Sequence, residues 1–285
     1  MKLVKSLILL SFFSILFGSC FDPPEYPVIP SIEYECIGFY TGQDTDSLII
    51  YLNFKDGDGN LGLAETAEGV EAPFNEAFYF QEGANGQLVK IGTRKRYTDL
   101  PAFLEPTGTG KLVTSRTREK PGFGNLPASS CTYYTQSQLY LSEEHKGIID
   151  ESYRVVDTMR NPNFPPVYVI SDEVYFERNP DHYNIEVDFL YKDPGNPNAD
   201  TQGFVEYDWW KENCTTFDGR FPVLSDKTSA LEGTLRYGMY SQGFQVKFSI
   251  RVLKLRIQVK DRDLNRSNVI ETPEFTLESI RGRGC

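Results

Sequence analysis

The feature that most constrains the fold of this chain is the alternation of apolar and polar residues along short segments. In residues 48–54 every second side chain is strongly apolar, and residues 185–191 repeat this pattern. Successive side chains of a β-strand point to opposite faces, so the alternation indicates strands with one buried face. Long segments of helical periodicity are missing, and residues 142–149 are the best short candidate. With turn residues throughout, the chain is predicted to be all-β and of sandwich type.

Two of these segments also match each other. Residues 48–56 align without gaps on residues 185–193, and both segments end in Lys-Asp. We interpret the match as an internal duplication, with the pattern common to all half-buried strands as the alternative explanation. A duplication predicts two consecutive sandwich domains, at residues 32–160 and 166–285, separated by a short linker.

A further apolar segment, residues 246–259, is predicted to be one long strand with an irregularity. Its apolar side chains occupy even positions up to Val252 and odd positions from Leu253 onward. A change of phase by one residue inside a strand indicates a bulge or a bend.

The N-terminus has the order of parts of an export signal. Two lysines precede an apolar run at residues 7–17, which is too short to span a bilayer as a helix. The small residues Gly18 and Ser19 then stand directly before Cys20. This resembles a bacterial lipobox, whose cysteine receives a diacylglycerol and becomes the first residue after cleavage. We predict a signal peptide at residues 1–19 and a covalent lipid on Cys20, with a plain secretory signal or a retained anchor as alternatives.

The residues after the cysteine bear on localisation. Phe21 stands where many inner-membrane lipoproteins carry an aspartate, so attachment to the outer membrane is expected, and the leaflet is not decided. Four prolines lie within residues 20–31, a composition that favours the extended polyproline conformation. This linker is predicted to be a stalk that holds the folded part away from the membrane.

The other four cysteines are predicted to form disulfides, because an exported chain meets oxidising conditions. They are Cys36, Cys131, Cys214 and Cys285, and four cysteines allow three pairings. Pairing within each predicted domain gives Cys36–Cys131 and Cys214–Cys285. No two of them stand at CxxC spacing and the chain has only 2 histidines, so a zinc site is not expected.

One loop carries closely spaced oxygen ligands. Asp56, Asp58 and Asn60 alternate with glycines directly after a predicted strand, a pattern that suits calcium. The loop departs from the EF-hand, because Leu61 stands at the position of the required glycine and Ala67 at that of the bidentate glutamate. The alternative is a turn that uses glycine and aspartate for its backbone angles. We expect no cofactor apart from the lipid, with calcium at these three residues as the alternative.

The sequence offers little chemistry of other kinds. A net charge of −11 without a basic stripe argues against nucleic acid as a partner. No GxSxG motif is present, and neither His145 nor His182 has a recognisable nucleophile partner, so we expect no catalytic residues and no enzyme. Trp209 and Trp210 lie near the end of a predicted strand, where one ring would be buried and the other free to stack on a sugar or a protein. A core ring beside an edge ring is the plainer interpretation.

These features together resemble the tandem immunoglobulin-like lipoproteins of the Bacteroidota. The resemblance rests on the lipobox and on three segments, residues 46–62, 179–185 and 259–268. It implies two immunoglobulin-like β-sandwich domains on a lipid anchor. It also implies O-glycosylation at Ser47 and Thr158, which fit the Asp-Ser/Thr-aliphatic pattern of that lineage.

We therefore expect a non-catalytic, outer-membrane lipoprotein that binds another envelope protein as an accessory subunit. The alternatives are a surface lipoprotein that binds glycans and, after it, an envelope hydrolase.

Overall fold

The computed structural model describes residues 25–64, 72–94, 103–135, 138–149, 153, 155–161, 164–225 and 228–284. Its strands are β1 Ser31–Tyr40, β2 Asp46–Asp56, β3 Ala77–Glu82, β4 Leu88–Arg94, β5 Phe103–Glu105, β6 Tyr134–Thr135, β7 Gln138–Ser142, β8 Val155–Asn161, β9 Phe164–Ser171, β10 Val174–Arg178, β11 Ile185–Lys192, β12 Phe204–Tyr207, β13 Leu231–Ser241, β14 Leu253–Val259 and β15 Ile270–Glu271. Two short α-helices are α1 Trp209–Asn213 and α2 Gly243–Phe248, and the 3₁₀ turns include Glu143–Ile148. The prediction of an all-β chain is confirmed.

Seven of the described strands form one β-sandwich. One antiparallel sheet has the order β1-β2-β13 and the other the order β12-β11-β14-β15. Side chains of both sheets, such as Leu48 on β2 and Val187 on β11, meet in a single apolar core. Counted along the chain, the seven strands are arranged 1-2-5 and 4-3-6-7. This is the order of an immunoglobulin-type sandwich whose fourth strand has moved to the edge of the second sheet.

The remaining strands form a separate body, residues 72–178, which is inserted into this sandwich. They make one sheet in the order β6-β10-β3-β4-β5-β7-β9-β8, antiparallel except for the parallel pair β5 and β7. Two apolar clusters lie on it, and both include buried residues from turns and loops, such as Leu112, Phe123 and Ile148. As far as its described residues extend, the inserted body is a single covered sheet and not a second immunoglobulin-like sandwich.

The predicted division into domains at residues 32–160 and 166–285 is contradicted by the strand pairing. Strand β13 pairs with β2 along its whole length, so residues from both predicted domains share one sheet. The match that suggested a duplication has a simpler cause. Strands β2 and β11 belong to opposite sheets of the same sandwich, and Ile50 and Phe189 face the same core. Two strands that bury one face in a common core show the same alternation.

The segment at residues 246–259 also differs from its prediction. Its first part belongs to helix α2, in which Phe244 and Phe248 are buried while Val246 is 80 % exposed. Strand β14 begins only at Leu253. The change of phase therefore marks the junction of a helix and a strand, because residues four apart share a helix face whereas residues two apart share a strand face.

The strand registers define two ends of the sandwich. Strands β1 and β13 both start where β2 ends, and Leu231 pairs there with Asp56. The start of β11 and the end of β14 lie at this end too, because Leu61 forms a bridge with Asp261. We call this the proximal end. The opposite end, with the end of β13 and helix α2, is the distal end.

The N-terminal segment, residues 25–30, is docked against the proximal end. The backbone N–H of Gly57 donates to the carbonyl of Pro27 over 2.9 Å, and the hydroxyl of Tyr26 donates to Glu232 over 2.6 Å. A Cβ on Gly57 would lie 2.2 Å from the backbone oxygen of Tyr26, so this close approach needs glycine.

This docking corrects the prediction of a free stalk. The part of the predicted linker, residues 20–31, that the structure describes lies against the sandwich and does not stand off from it. The predicted signal peptide at residues 1–19 and the lipidation site Cys20 lie outside the described residues.

The disulfides join different partners from those predicted. Cys131 of the inserted body is bonded to Cys214, which caps helix α1 of the sandwich. The predicted pairs Cys36–Cys131 and Cys214–Cys285 are therefore wrong, because the insertion folds back onto the sandwich and brings Cys131 to Cys214. Cys36 is disulfide-bonded as well, and Cys285 lies outside the described residues.

The sandwich core should depend strongly on Phe189. This ring is 1 % exposed and lies 5.7 Å from the ring of Phe244 and 5.9 Å from that of Phe248. Phe189→Ala should lower the free energy of unfolding by about 3–5 kcal/mol in chemical denaturation. The control Val246→Ala, on an exposed side chain, should change it by less than about 0.5 kcal/mol. Equal effects of the two substitutions would contradict this core.

Candidate functional site

The proximal end gathers a cluster of acidic side chains. Asp56 is the last residue of β2, and Asp58 follows in the loop after it. Asp261 lies in the loop after β14 and forms a bridge with Leu61. One carboxylate oxygen from each of the three aspartates lies within 4.8 Å of the others. Asp56 and Asp261 are buried, at 0 % and 1 % exposure, so the cluster is largely closed off from solvent.

Hydrogen bonds satisfy only part of this cluster. The Oδ2 of Asp56 accepts from the backbone N–H of Leu61 over 3.2 Å. The side-chain amide of Asn60 donates to Asp58 over 3.1 Å and to Asp263 over 2.9 Å. The Oδ1 of Asp56 and the Oδ1 of Asn60 are buried and have no hydrogen-bond partner among the described residues. The described residues therefore leave two oxygen acceptors of this loop unpaired.

The electrostatics of the cluster are unfavourable as it stands. Burial, and then the negative charge of Asp58, raise the pKa of Asp56 to about 6. Burial also raises the pKa of Asp261 above its ordinary value. None of the ion pairs between described residues includes Asp56, Asp58 or Asp261. Buried carboxylates without a counter-charge are costly, so this arrangement favours a bound cation.

The structure thus brings Asp56, Asp58 and Asn60 together, and it adds a residue that sequence reasoning missed. Asp261 lies more than 200 positions further on, and no spacing rule links it to Asp56. A signal was nevertheless present, because residues 56–60 and 261–265 both have the pattern Asp-x-Asp-x-Asn.

The two tryptophans have structural roles. They begin helix α1, whose N-cap is Asp208, and do not lie on a strand. Trp209 is buried in the sandwich core, which rules it out as a platform for a sugar. Trp210 is half-buried at the junction with the inserted body. Its indole N–H donates to the carbonyl of Thr132 over 3.3 Å, and the Arg178 guanidinium lies 4.5 Å from its ring.

The segment between β10 and β11 holds the two ends of the inserted body together. The side-chain amide of Asn179 donates to the carbonyls of Asn75 and Pro73 over 2.7 Å and 2.5 Å. The Nδ1 of His182 lies 2.8 Å from the carbonyl of Phe74, and burial lowers the pKa of this imidazole. In the structure, His182 is thus part of a network that binds backbone carbonyls.

His145 lies beside a serine and a carboxylate, which invites comparison with a catalytic triad. Its Nδ1 lies 3.0 Å from the hydroxyl of Ser142 and 3.8 Å from Glu144. In a Ser-His-Asp triad the serine and the carboxylate contact opposite nitrogens of the ring. Here both contact the same nitrogen, and Ser142 directly precedes a 3₁₀ turn. The arrangement is that of a turn end and lacks the triad geometry.

A pocket of about 340 Å³ lies beside the junction and contains two carboxylates, Glu186 and Asp218. Burial acts to raise the pKa of Glu186, but hydrogen bonds from Arg266 and Lys260 outweigh it and hold the pKa below its ordinary value. Burial raises the pKa of Asp218, which accepts a hydrogen bond from the backbone N–H of Val187 over 2.9 Å. Both carboxylates therefore already have partners within the fold.

Ser47 and Thr158 are the last of the predicted sites. Ser47 is half-buried near the start of β2, and Thr158 is half-buried on β8, the edge strand of the inserted sheet. Their glycosylation stays a prediction.

Within the described part of the chain, no helix has the length and apolar character needed to cross a bilayer. No protein-family model matches this chain, and comparisons with curated proteins and with solved structures found no match either.

The junction network should depend on Asn179, which is 2 % exposed. Asn179→Ala leaves the carbonyls of Pro73 and Asn75 without their donor and should cost about 1–3 kcal/mol in unfolding free energy. Asn198→Ala, at an exposed position, is the matched control and should have little effect. Indistinguishable urea midpoints for the two variants would contradict the role of Asn179.

Proposed function

We propose that this protein is a non-catalytic accessory lipoprotein of the bacterial outer membrane. In this proposal a lipid on Cys20 anchors it, and the distal end of the sandwich binds another envelope protein. The observation that carries the proposal is the exposure of two apolar side chains at the distal end, Val246 on helix α2 and Ile250 just after it.

These two side chains are unusually exposed for apolar residues. Val246 is 80 % exposed and Ile250 91 %. Helix α2 holds its inner face in the core with Phe244 and Phe248, so Val246 is directed outward. Neighbouring exposed apolar side chains are typical of an interaction site, whereas single ones are normal on any surface. Val246 and Ile250 are four positions apart in the chain, and we call them the distal patch.

The position of the distal patch fits a protein held by its N-terminus. The chain is docked at the proximal end from Tyr26 onward, and the six residues from Cys20 to there reach at most about 22 Å when extended. A lipid on Cys20 would therefore keep the proximal end close to the membrane. Val28 and Ile29, each 56 % exposed, lie on the docked segment and would face the same side.

The charges around the distal patch indicate the chemistry of the partner. Lys247 lies 5.6 Å from the ring of Tyr207, and Arg251 lies 5.0 Å from that of Tyr191. Each of these cations directly follows a residue of the distal patch, in a chain of net charge −11. A partner surface with apolar side chains bordered by acidic ones would complement this end.

The two alternatives have less support from particular residues. Glycan binding was the alternative interpretation of Trp209 and Trp210, and these rings pack in the core and at the junction. A hydrolase would need free acid and base groups, whereas Glu186 and Asp218 are held by neighbours in the pocket that they line.

The partner is tested by purifying the native lipoprotein from detergent-solubilised envelopes with quantitative mass spectrometry. We expect one envelope protein at constant stoichiometry, which is lost from the double variant V246D/I250D. The control Val269→Asp changes an apolar residue that is 53 % exposed elsewhere and should keep the partner. Identical partners for both variants, or retention of the wild type on a glycan array without any protein partner, would overturn the proposal.

The anchor is tested independently by labelling cells with radioactive palmitate. The wild-type protein should incorporate label and stay with the membrane fraction. Cys20→Ser should abolish labelling and release the protein, because the acyl chains on this residue supply the stable anchoring. A serine variant that stays membrane-bound would contradict lipid attachment at this position.

A further inference from the structure

We propose that Asp56, Asp58, Asn60 and Asp261 form a calcium site that joins two loops at the proximal end of the sandwich. This inference does not depend on the proposed function, and it would hold for a protein in any compartment that contains calcium.

The first observation is that two loops of the same pattern lie against each other. Residues 56–60 and 261–265 each read Asp-x-Asp-x-Asn. Their fourth positions, Gly59 and Leu264, both have a positive φ, of 69° and 64°. A backbone hydrogen bond of 3.3 Å also joins the two loops directly. A ligand between them would meet oxygen atoms from both.

The second observation is the state of Asp56. Its side chain is fully buried, its Oδ1 accepts no hydrogen bond from any described residue, and its carboxylate is within 4.8 Å of those of Asp58 and Asp261. The Oδ1 of Asn60 is likewise buried and unpaired within the described chain. Buried polar atoms normally have partners, so two unpaired acceptors beside three carboxylates point to a ligand that accepts electron pairs. A metal cation would satisfy the two unpaired acceptors, whereas the carboxylate of Asp261 already accepts hydrogen bonds from Asp263 and Asn265.

The donor set selects the kind of metal. Carboxylate and amide oxygens are hard ligands, which suit calcium or magnesium and differ from the soft ligands of zinc or copper sites. Magnesium requires near-ideal octahedral geometry and keeps several waters, whereas calcium accepts six to eight oxygens in flexible arrangements. Ligands that come from two separate loops, and include an amide oxygen, fit calcium better.

The loop that carries most of the proposed ligands contacts two other segments of the chain. Gly57, between two of the ligands, donates to the carbonyl of Pro27 and so holds the N-terminal segment. Leu63, three residues after Asn60, donates to the carbonyl of Phe221 just before the chain leaves the sandwich for the inserted body. A cation here would therefore stabilise the loop that contacts the N-terminal segment and leads into the insertion.

The test is calorimetric titration of calcium into the full-length protein in detergent, after treatment with EDTA. We expect saturable binding near one ion per chain and a melting temperature that rises with calcium concentration. Asp56→Asn and Asp58→Asn should each weaken binding at least about tenfold. Asp193→Asn changes the turn after β11, outside the cluster, and should bind calcium like the wild type.

A second readout separates a ligand role from a merely structural one. Without metal, Asp56→Asn removes a buried negative charge and should raise the melting temperature above that of the EDTA-treated wild type. With calcium, the wild type should have the higher melting temperature, because it binds the ion more tightly than Asp56→Asn does. Magnesium binding in place of calcium would overturn the choice of ion. Absence of saturable calcium binding by the wild type, or equal affinity in Asp58→Asn, would overturn the site.

Discussion

The structure depends on the pairing of β2 with β13. These strands lie far apart in the chain, yet they pair continuously from Leu231–Asp56 to Ser241–Asp46. The pairing places β2 at the centre of its sheet and closes one face of the sandwich core. Because β2 ends and β11 begins at the proximal end, the chain between them leaves the sandwich and returns at the same end.

The proximal end is therefore where most constraints meet. The insertion leaves after the loop that follows β2 and returns just before β11. Both connections between the sandwich and the inserted body make hydrogen bonds to backbone carbonyls. In the connection into β11 the donor is the side-chain amide of Asn179, and in the connection after β2 it is the backbone N–H of Leu63. The disulfide between Cys131 and Cys214 adds a covalent link. The same crowding forces two Asp-x-Asp-x-Asn loops together and leaves buried acidic groups without a counter-charge among the described residues.

Much of the local structure could be predicted from the sequence, and the topology could not. The alternation at Leu48, Ile50 and Leu52 reports a buried face and identifies β2 correctly. It does not report which strand lies across the core, because any strand facing the same core has the same period. This is why a match between two strands of one sandwich resembled a duplication. Disulfide pairing failed for the same reason, since it follows from contacts between distant parts of the chain.

The candidate site, too, could be predicted from the sequence only in part. Asp56, Asp58 and Asn60 were recognisable because ligands close in sequence stay close in a loop. Asp261 is brought in by the end of β14, whose place beside β11 no local pattern encodes. At the two tryptophans strand periodicity was the wrong guide, because Asp208 caps a short helix there and both rings take packed positions.

Native-state hydrogen exchange in rising denaturant tests the nested sandwich most directly, because it reports which segments unfold together. We expect amides of β2 to lose protection in the same step as those of β13, β11 and β14, while strands of the inserted sheet open separately. If β2 instead opened together with β3 and β4, leaving β13 and β14 protected, the chain would be two consecutive domains and the nested topology would be wrong.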